Sequence, residues 1–157
     1  MTLPLYAVYG ASGYGREVMP LARAQLEHRG ISPERLVFVD DQPGAAMMNG
    51  HRVLRYADFL QVEAGARHAV LAIAAGVARE KLAARCAADD VRPWTVTAAN
   101  AVTMDDVILL EGAVLSPFVT LTTNVRIGRQ FHANIYSYVA HDCVIGDFVT
   151  FAPGVKC

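Results

Sequence analysis

The chain follows two different periodicities. Up to about residue 95, short apolar runs alternate with stretches of helical spacing. Leu5–Tyr9 (LYAVY), Leu36–Val39 (LVFV) and Ala69–Ala74 (AVLAIA) are short and apolar without alternation, as strands buried on both faces are. Gly15–His28 reads as a helix stopped at Gly30, with Pro20 expected to bend it or delay its first turns. Tyr56–Glu63 and the alanine-rich Val77–Ala88 read as further helices. Strand, helix, strand, helix implies a parallel sheet with right-handed crossovers.

From about Thr97 the helical spacing vanishes and a beat of six takes over. It runs from Leu109 through Leu115, Leu121, Ile127, Ala133, Val139 and Ile145 to Phe151 and Cys157. Two residues before each of these lies a second small or apolar position: Val107, Ala113, Val119, Val125, Phe131, Ser137, Cys143, Val149 and Val155. A hexapeptide repeat is the signature of a parallel β-helix, three short strands to a coil, and nine hexads make three coils. A β-sandwich is the alternative, but its strands are longer and less uniform. The apolar pairs are expected to point inward, with Gly112, Gly128, Asn134, Gly146 and Gly154 at the tight corners. The beat stops at Cys157, on the first position of a new hexad. An open coil exposes unpaired edges, so the chain is expected to be a truncated form of a longer protein.

Composition narrows the functional classes. With 54% apolar and 18% charged residues in 157, a sizeable core is expected. A net charge of −1 argues against a nucleic-acid partner. Cys86, Cys143 and Cys157 form no C-x-x-C pair, which suits reduced thiols in a cytoplasmic protein. MTLPLYAVYG lacks a basic start, and no apolar run reaches the roughly 18 residues of a membrane span, so no membrane insertion is expected.

Two constellations carry chemistry. Gly10, Ser12, Gly13, Tyr14 and Gly15 form a G-x-x-G-x-G turn between the first strand and the first helix. Glycines admit a close ligand, and a helix amino end offers free N–H groups to a phosphate, so a nucleotide is expected there. A tight strand-to-helix turn without ligand is the alternative. Asp40 and Asp41 end the second strand, where a carboxylate can accept from a ribose or base, or can cap a turn. His141-Asp142 falls on outward corner positions of the hexad, as a general base with its orienting carboxylate or as a solvated corner. Cys143 falls inward. The other histidines read as structural or surface, and their spacing suggests no metal site.

GASGYG and VDD, followed by a hexapeptide repeat carrying NIYSYVAHDCVIGDF, resemble the bacterial nucleotide-sugar acetyltransferases related to the sialic acid O-acetyltransferase-like proteins. The resemblance spans nearly the whole chain. It implies an α/β plus β-solenoid fold: a small Rossmann-like parallel βαβ domain over residues 1–95, then a left-handed β-helix over 96–157. It implies acetyl transfer from acetyl-CoA to the amine or hydroxyl of a nucleotide-linked sugar, for cell-surface glycans, without a metal. Gly10, Ser12, Gly13 and Gly15 would cradle the diphosphate, with Tyr14 in the same turn, and Asp40 and Asp41 would hold the nucleoside. His141 would take the acceptor's proton, Asp142 would orient it, and Asn134 would line the acetyl-CoA channel. The resemblance also implies a homotrimer with the active site between neighbouring β-helices. The chain departs from some relatives at Tyr14 and Thr150, where they carry histidine, and at Ala74-Ala75-Gly76, where many have a polar turn. Two rivals are a non-catalytic nucleotide-binding module trimerised by its β-helix and an NAD-dependent reductase. The second needs a Tyr-x-x-x-Lys pair that the sequence lacks.

Overall fold

The computed structural model describes residues 2–157. Its first part runs β1 (Leu5–Tyr9), α1 (Gly13–His28), β2 (Leu36–Val39), β3 (Met47–Met48), β4 (His51–Leu54), α2 (Tyr56–Gln61), β5 (Arg67–Leu71), α3 (Gly76–Ala88) and β6 (Val91–Pro93). The six strands form one sheet in the order β3-β4-β2-β1-β5-β6. Every pairing is parallel except β3 with β4. β1 lies at the centre. Tyr6 and Val8 pack under Val18, Met19, Ala22 and Leu26 of α1. Leu5, Ala7 and Tyr9 face the opposite side, under Tyr56, Phe59 and Cys86 of α2 and α3. Both faces are covered, which accounts for strands that are apolar without alternation.

The helices match the sequence reading in kind and differ at their ends. α1 begins at Gly13, two residues before the expected Gly15. Pro20 neither breaks nor delays it, because the ring sits on the exposed side and water can serve the carbonyl that loses its N–H partner. The helix stops as expected at Gly30, whose φ is +70°: its N–H donates to the Glu27 carbonyl and the Ile31 N–H to that of Leu26. α2 ends at Gln61 rather than Glu63, and β5 covers Arg67–Leu71 rather than Ala69–Ala74. The carbonyls of Ile73 and Ala74 leave the sheet to accept hydrogen bonds from Arg79. The β3–β4 hairpin was not anticipated, although its Asn49-Gly50 turn, with both φ positive, is a recognisable hairpin signal.

The rest of the chain is a parallel β-helix with three faces. On the first face, Val96–Thr97, Val114–Leu115, His132–Ala133 and Thr150–Phe151 stack in parallel register, eighteen residues apart. The second face stacks Val102, Thr120 and Tyr138, and the third stacks Ile108, Arg126 and Val144. Three coils and the start of a fourth result. Leu115, Leu121, Ile127, Ala133, Val139 and Phe151 fill the interior, as their six-residue spacing requires. Ser137, also inward, donates its hydroxyl to the Ala152 carbonyl at 3.2 Å.

The corners follow a stricter rule than expected. One residue in six has positive φ: Asp106, Gly112, Phe118, Asn124, Gln130, Tyr136, Asp142, Phe148 and Gly154. Gly112 and Gly154 occupy this position, whereas Gly128, Asn134 and Gly146 do not. Those three sit at the other bend of the hexad. At Gly128 an added Cβ would strike the Asp147 carboxylate, so the need there is close approach rather than backbone conformation.

Outward residues of the first face, Val96, Val114, His132 and Thr150, form a column turned toward the sheet. Val96 and Val114 belong to the same apolar cluster as α1 and Tyr6. Gln25 of α1 spans the seam, donating to the Thr95 carbonyl at 2.9 Å and accepting from the Thr97 N–H at 3.0 Å.

Candidate active site

The glycine turn leaves the carboxyl end of β1, at the centre of the sheet, and opens α1. Gly10 has φ +112°, and a Cβ there would lie 2.9 Å from the Ala72 carbonyl oxygen and from Ile73 Cδ1. A Cβ on Gly15 would collide with the Gly10 carbonyl. Both glycines are therefore demanded by packing within the turn. Gly13 differs, since a Cβ there meets nothing nearer than Arg16 Nη2 at 3.9 Å. The exposed Ser12 is the N-cap of α1, and its hydroxyl makes no capping bond. The first N–H groups of the helix have no acceptor within it. The turn thus presents unused donors and a positive dipole end in one place, as an anion requires.

Asp40 and Asp41 divide their work. The Asp40 carboxylate accepts from the Ala11 N–H at 3.2 Å and the Gln42 N–H at 2.9 Å, tying the end of β2 to the glycine turn. Asp41 accepts from Tyr9 Oη at 2.9 Å and pairs with Arg85 at 3.0 Å. Arg85 in turn lies over the Tyr56 ring, 4.0 Å from its centroid. Burial, then the Asp41 carboxylate, pushes the Tyr9 phenol well above its ordinary range, so it remains a donor. Sequence reasoning missed Arg85 and Tyr9; neither stands in a motif, and only the fold brings them to Asp41.

His141 and Asp142 occupy a solvent-open corner, their side chains 72% and 67% exposed. Nδ1 of His141 lies 2.6 Å from the Asp142 carboxylate. That contact fixes the proton on Nδ1 and leaves Nε2 as the basic nitrogen facing solvent. Asp142 holds φ +63°, the left-handed position of its hexad. Asn134 is half-buried, and its Oδ1 accepts from the Ile135 N–H at 2.8 Å. Cys143 points inward as expected, half-buried, with Sγ 3.9 Å from Sγ of Cys157. Among the described residues, no hydrogen bond joins the His141 corner to the glycine turn.

A third polar group lies between the sheet and the β-helix. Arg79, in the first turn of α3, is fully buried. Its guanidinium donates to the carbonyls of Gln130, Ile73, Ala74, Phe148 and Val149 and to Thr150 Oγ1. The Thr150 hydroxyl in turn donates a hydrogen bond to the Ala74 carbonyl at 2.7 Å. A Cβ on Gly76 would strike the Phe148 carbonyl. Thr150 and the Ala74–Gly76 turn therefore meet in one contact. His132, in the same column, is fully buried beside the Tyr14 ring, 5.4 Å between centroids. A cavity of about 470 Å³ opens beside this seam, between α3, β6 and the corners at Arg129 and Phe148, and none of the sequence-predicted site residues lines it. No helix among the described residues is long and apolar enough to cross a membrane.

No protein-family model matches the chain. It is 45% identical to a curated GDP-perosamine N-acetyltransferase of Escherichia coli O157:H7 over 153 residues, 98% of this chain and 69% of that protein. Its fold matches WeeI from Acinetobacter baumannii AYE with a TM-score of 0.94 and 50% identity, over 98% of this chain and 72% of that one. A variant of the GDP-perosamine N-acetyl transferase of Caulobacter crescentus, solved with CoA and GDP-perosamine, matches with a TM-score of 0.83 over 97% and 70% of the two chains. At 21% identity that likeness speaks to the fold alone.

Proposed function

From membership of the bacterial nucleotide-sugar acetyltransferases, the family to which this chain belongs, we propose that it acetylates the amine of a GDP-linked amino sugar, GDP-perosamine or a close analogue. Acetyl-CoA is the donor. The product belongs to cell-surface glycan synthesis, and the reaction is cytoplasmic, where acetyl-CoA is made. The part up to residue 95 is the Rossmann-like nucleotide-sugar domain, and residues 96–157 are the left-handed β-helix.

The diphosphate sits on the N–H groups and hydroxyl of Ser12–Gly15, with Asp40 and Asp41 toward the nucleoside. The acceptor amine attacks the thioester carbonyl carbon, forming a C–N bond. Nε2 of His141 takes the amine proton as the tetrahedral intermediate forms. Asp142 stabilises the imidazolium. The C–S bond then breaks and the proton passes to the departing CoA sulfur. Asn134 lines the acetyl-CoA channel. The active site forms between chains of a trimer. In support of the trimer, Ile108 and Val144 on the third face and Phe118 and Tyr136 at a corner leave apolar surface exposed. The two corner rings stack at 4.8 Å and 3°. Exposed apolar patches of this kind mark interfaces.

The observation that carries the reading is the 2.6 Å His141–Asp142 contact on an open corner of the β-helix. The test is incubation with acetyl-CoA and GDP-perosamine, followed by mass spectrometry. Gain of one acetyl group on the sugar with release of free CoA is expected. Thioester consumption without an acetylated sugar would reject the assigned acceptor.

A further inference from the structure

Asp41 is an exposed carboxylate held by two side chains. Tyr9 Oη donates to its Oδ2 at 2.9 Å, and Nη1 of Arg85 donates to Oδ1 at 3.0 Å and to Oδ2 at 3.1 Å. The same Nη1 lies 3.0 Å from Tyr9 Oη, which closes a ring of three groups. Both holders are fixed in turn. Tyr9 ends β1 with 2% of its surface exposed, and its ring stacks on Tyr56 at 5.5 Å and 21°. Arg85 rests on the Tyr56 ring, whose hydroxyl donates to Asp89 at 2.9 Å. An exposed ion pair contributes little to stability, so its effect here is on where the carboxylate points. A carboxylate has about four acceptor positions, two on each oxygen. Oδ2 has filled both of its own and Oδ1 one, so a single position is left, on Oδ1, just beyond β2. The neighbouring Asp40 is bound instead to the Ala11 and Gln42 N–H groups.

We infer that Tyr9 and Arg85 are positioning residues for the nucleoside: they hold the Asp41 carboxylate with one acceptor position open for a ribose hydroxyl. Place and count both favour the sugar over the base. A carboxylate at the end of the second strand of such a sheet is set for the ribose. Reading guanine through its N1–H and N2–H edge needs a free acceptor on each oxygen, and Oδ2 has none left. A carboxylate already in place loses no side-chain freedom when the nucleotide arrives, so its hydrogen bond contributes more to affinity. Neither Tyr9 nor Arg85 touches the nucleotide. This inference rests on the acetyl-transfer reading above, which supplies the nucleotide.

The experiment measures binding of GDP and of 2′,3′-dideoxy-GDP by calorimetry. It compares the whole wild-type protein with Asp41→Ala, Tyr9→Phe and Arg85→Met, and follows urea unfolding alongside. Damage to the fold or to phosphate binding weakens both nucleotides alike and cancels in the ratio of their affinities. The wild type is expected to prefer GDP by about tenfold or more, as for one hydrogen bond to a charged group. Asp41→Ala should bring the ratio close to one. Tyr9→Phe and Arg85→Met should each lower it by about threefold or more, because the carboxylate must then be ordered on binding. The urea midpoint of Arg85→Met should stay near that of the wild type. If Tyr9→Phe does not fold, Arg85→Met decides. A ratio unchanged from wild type in a folded variant would overturn the role of that residue. A wild-type ratio near one, or no GDP binding, would overturn the ribose contact and the inference with it. The acetyl-transfer reading fails separately, when GDP binds with the expected ratios but no acetyl group reaches GDP-perosamine.

Discussion

Nη1 of Arg79 lies 2.9 Å from Oγ1 of Thr150, joining the start of α3 to the fourth strand of the β-helix's first face. Arg79 is a buried cation whose partners are carbonyls and a hydroxyl rather than a carboxylate, and burial lowers its pKa. Arg79→Met is expected to cost about 3–5 kcal/mol, because it strands several buried carbonyls at once. Arg79→Lys is expected to recover little, since an ammonium cannot span acceptors on two elements as a planar guanidinium does. Urea unfolding measures both. A loss below about 1 kcal/mol for Arg79→Met would mean that the clamp is not holding the seam.

Gly13 and Gly15 are two residues apart and should respond oppositely. Gly15→Ala drives a Cβ into the Gly10 carbonyl, at an expected cost of about 3 kcal/mol or more. Gly13→Ala has room and should raise helix stability by up to about 1 kcal/mol. If the turn holds a diphosphate, the same methyl should weaken GDP binding on the order of tenfold, equivalent to about 1.4 kcal/mol. Unfolding and calorimetry on the two variants separate packing from binding. Unimpaired GDP affinity in a folded Gly13→Ala variant would move the phosphate elsewhere.

Burial first, and the Arg79 charge second, pull the His132 imidazole down from 6.5 to about 3. Between these values the unfolded chain binds a proton that the folded protein refuses. Stability therefore falls as pH drops through that window, by up to about 1.4 kcal/mol per pH unit, and is unaffected by this group above 6.5. Urea midpoints across the window should fall less steeply in His132→Gln than in the wild type. Parallel profiles would show that His132 does not sense the acid.

Asp142 holds φ +63°, a conformation asparagine tolerates, so Asp142→Asn isolates the carboxylate's charge from backbone strain. The variant should fold normally and lose about tenfold to a hundredfold in kcat, less than removal of the base. Unchanged kcat would leave Asp142 as a corner residue only.

Much of this was legible in the residues. Leu115, Leu121, Ile127 and Val139 mark the β-helix interior because an 18-residue coil of three faces returns inward every six positions. His141-Asp142 could be placed outward by the same count. The seam was not legible. Val96, Val114, His132 and Thr150 share one outward column only after three hexads make a coil and one face docks on α1. Taken singly, a valine, a histidine and a threonine at outward positions look like any exposed strand. Arg79 in an alanine-rich helix looks solvated, since its acceptors come from residues more than fifty positions away as well as from its own loop. The corners misled for a related reason. The β-helix imposes positive φ on Phe118, Gln130, Tyr136 and Phe148, which a search for glycine alone overlooks.

The proposed role of His141 is to take the proton of the acceptor amine. The decisive measurement is the single-turnover rate of acetyl transfer from acetyl-CoA to GDP-perosamine by the His141→Ala variant, with GDP-perosamine affinity measured alongside. A fall of about 10²–10⁴-fold in rate, with affinity within a few-fold of wild type, is the expected result. A rate within a factor of about three at full occupancy would contradict the assignment.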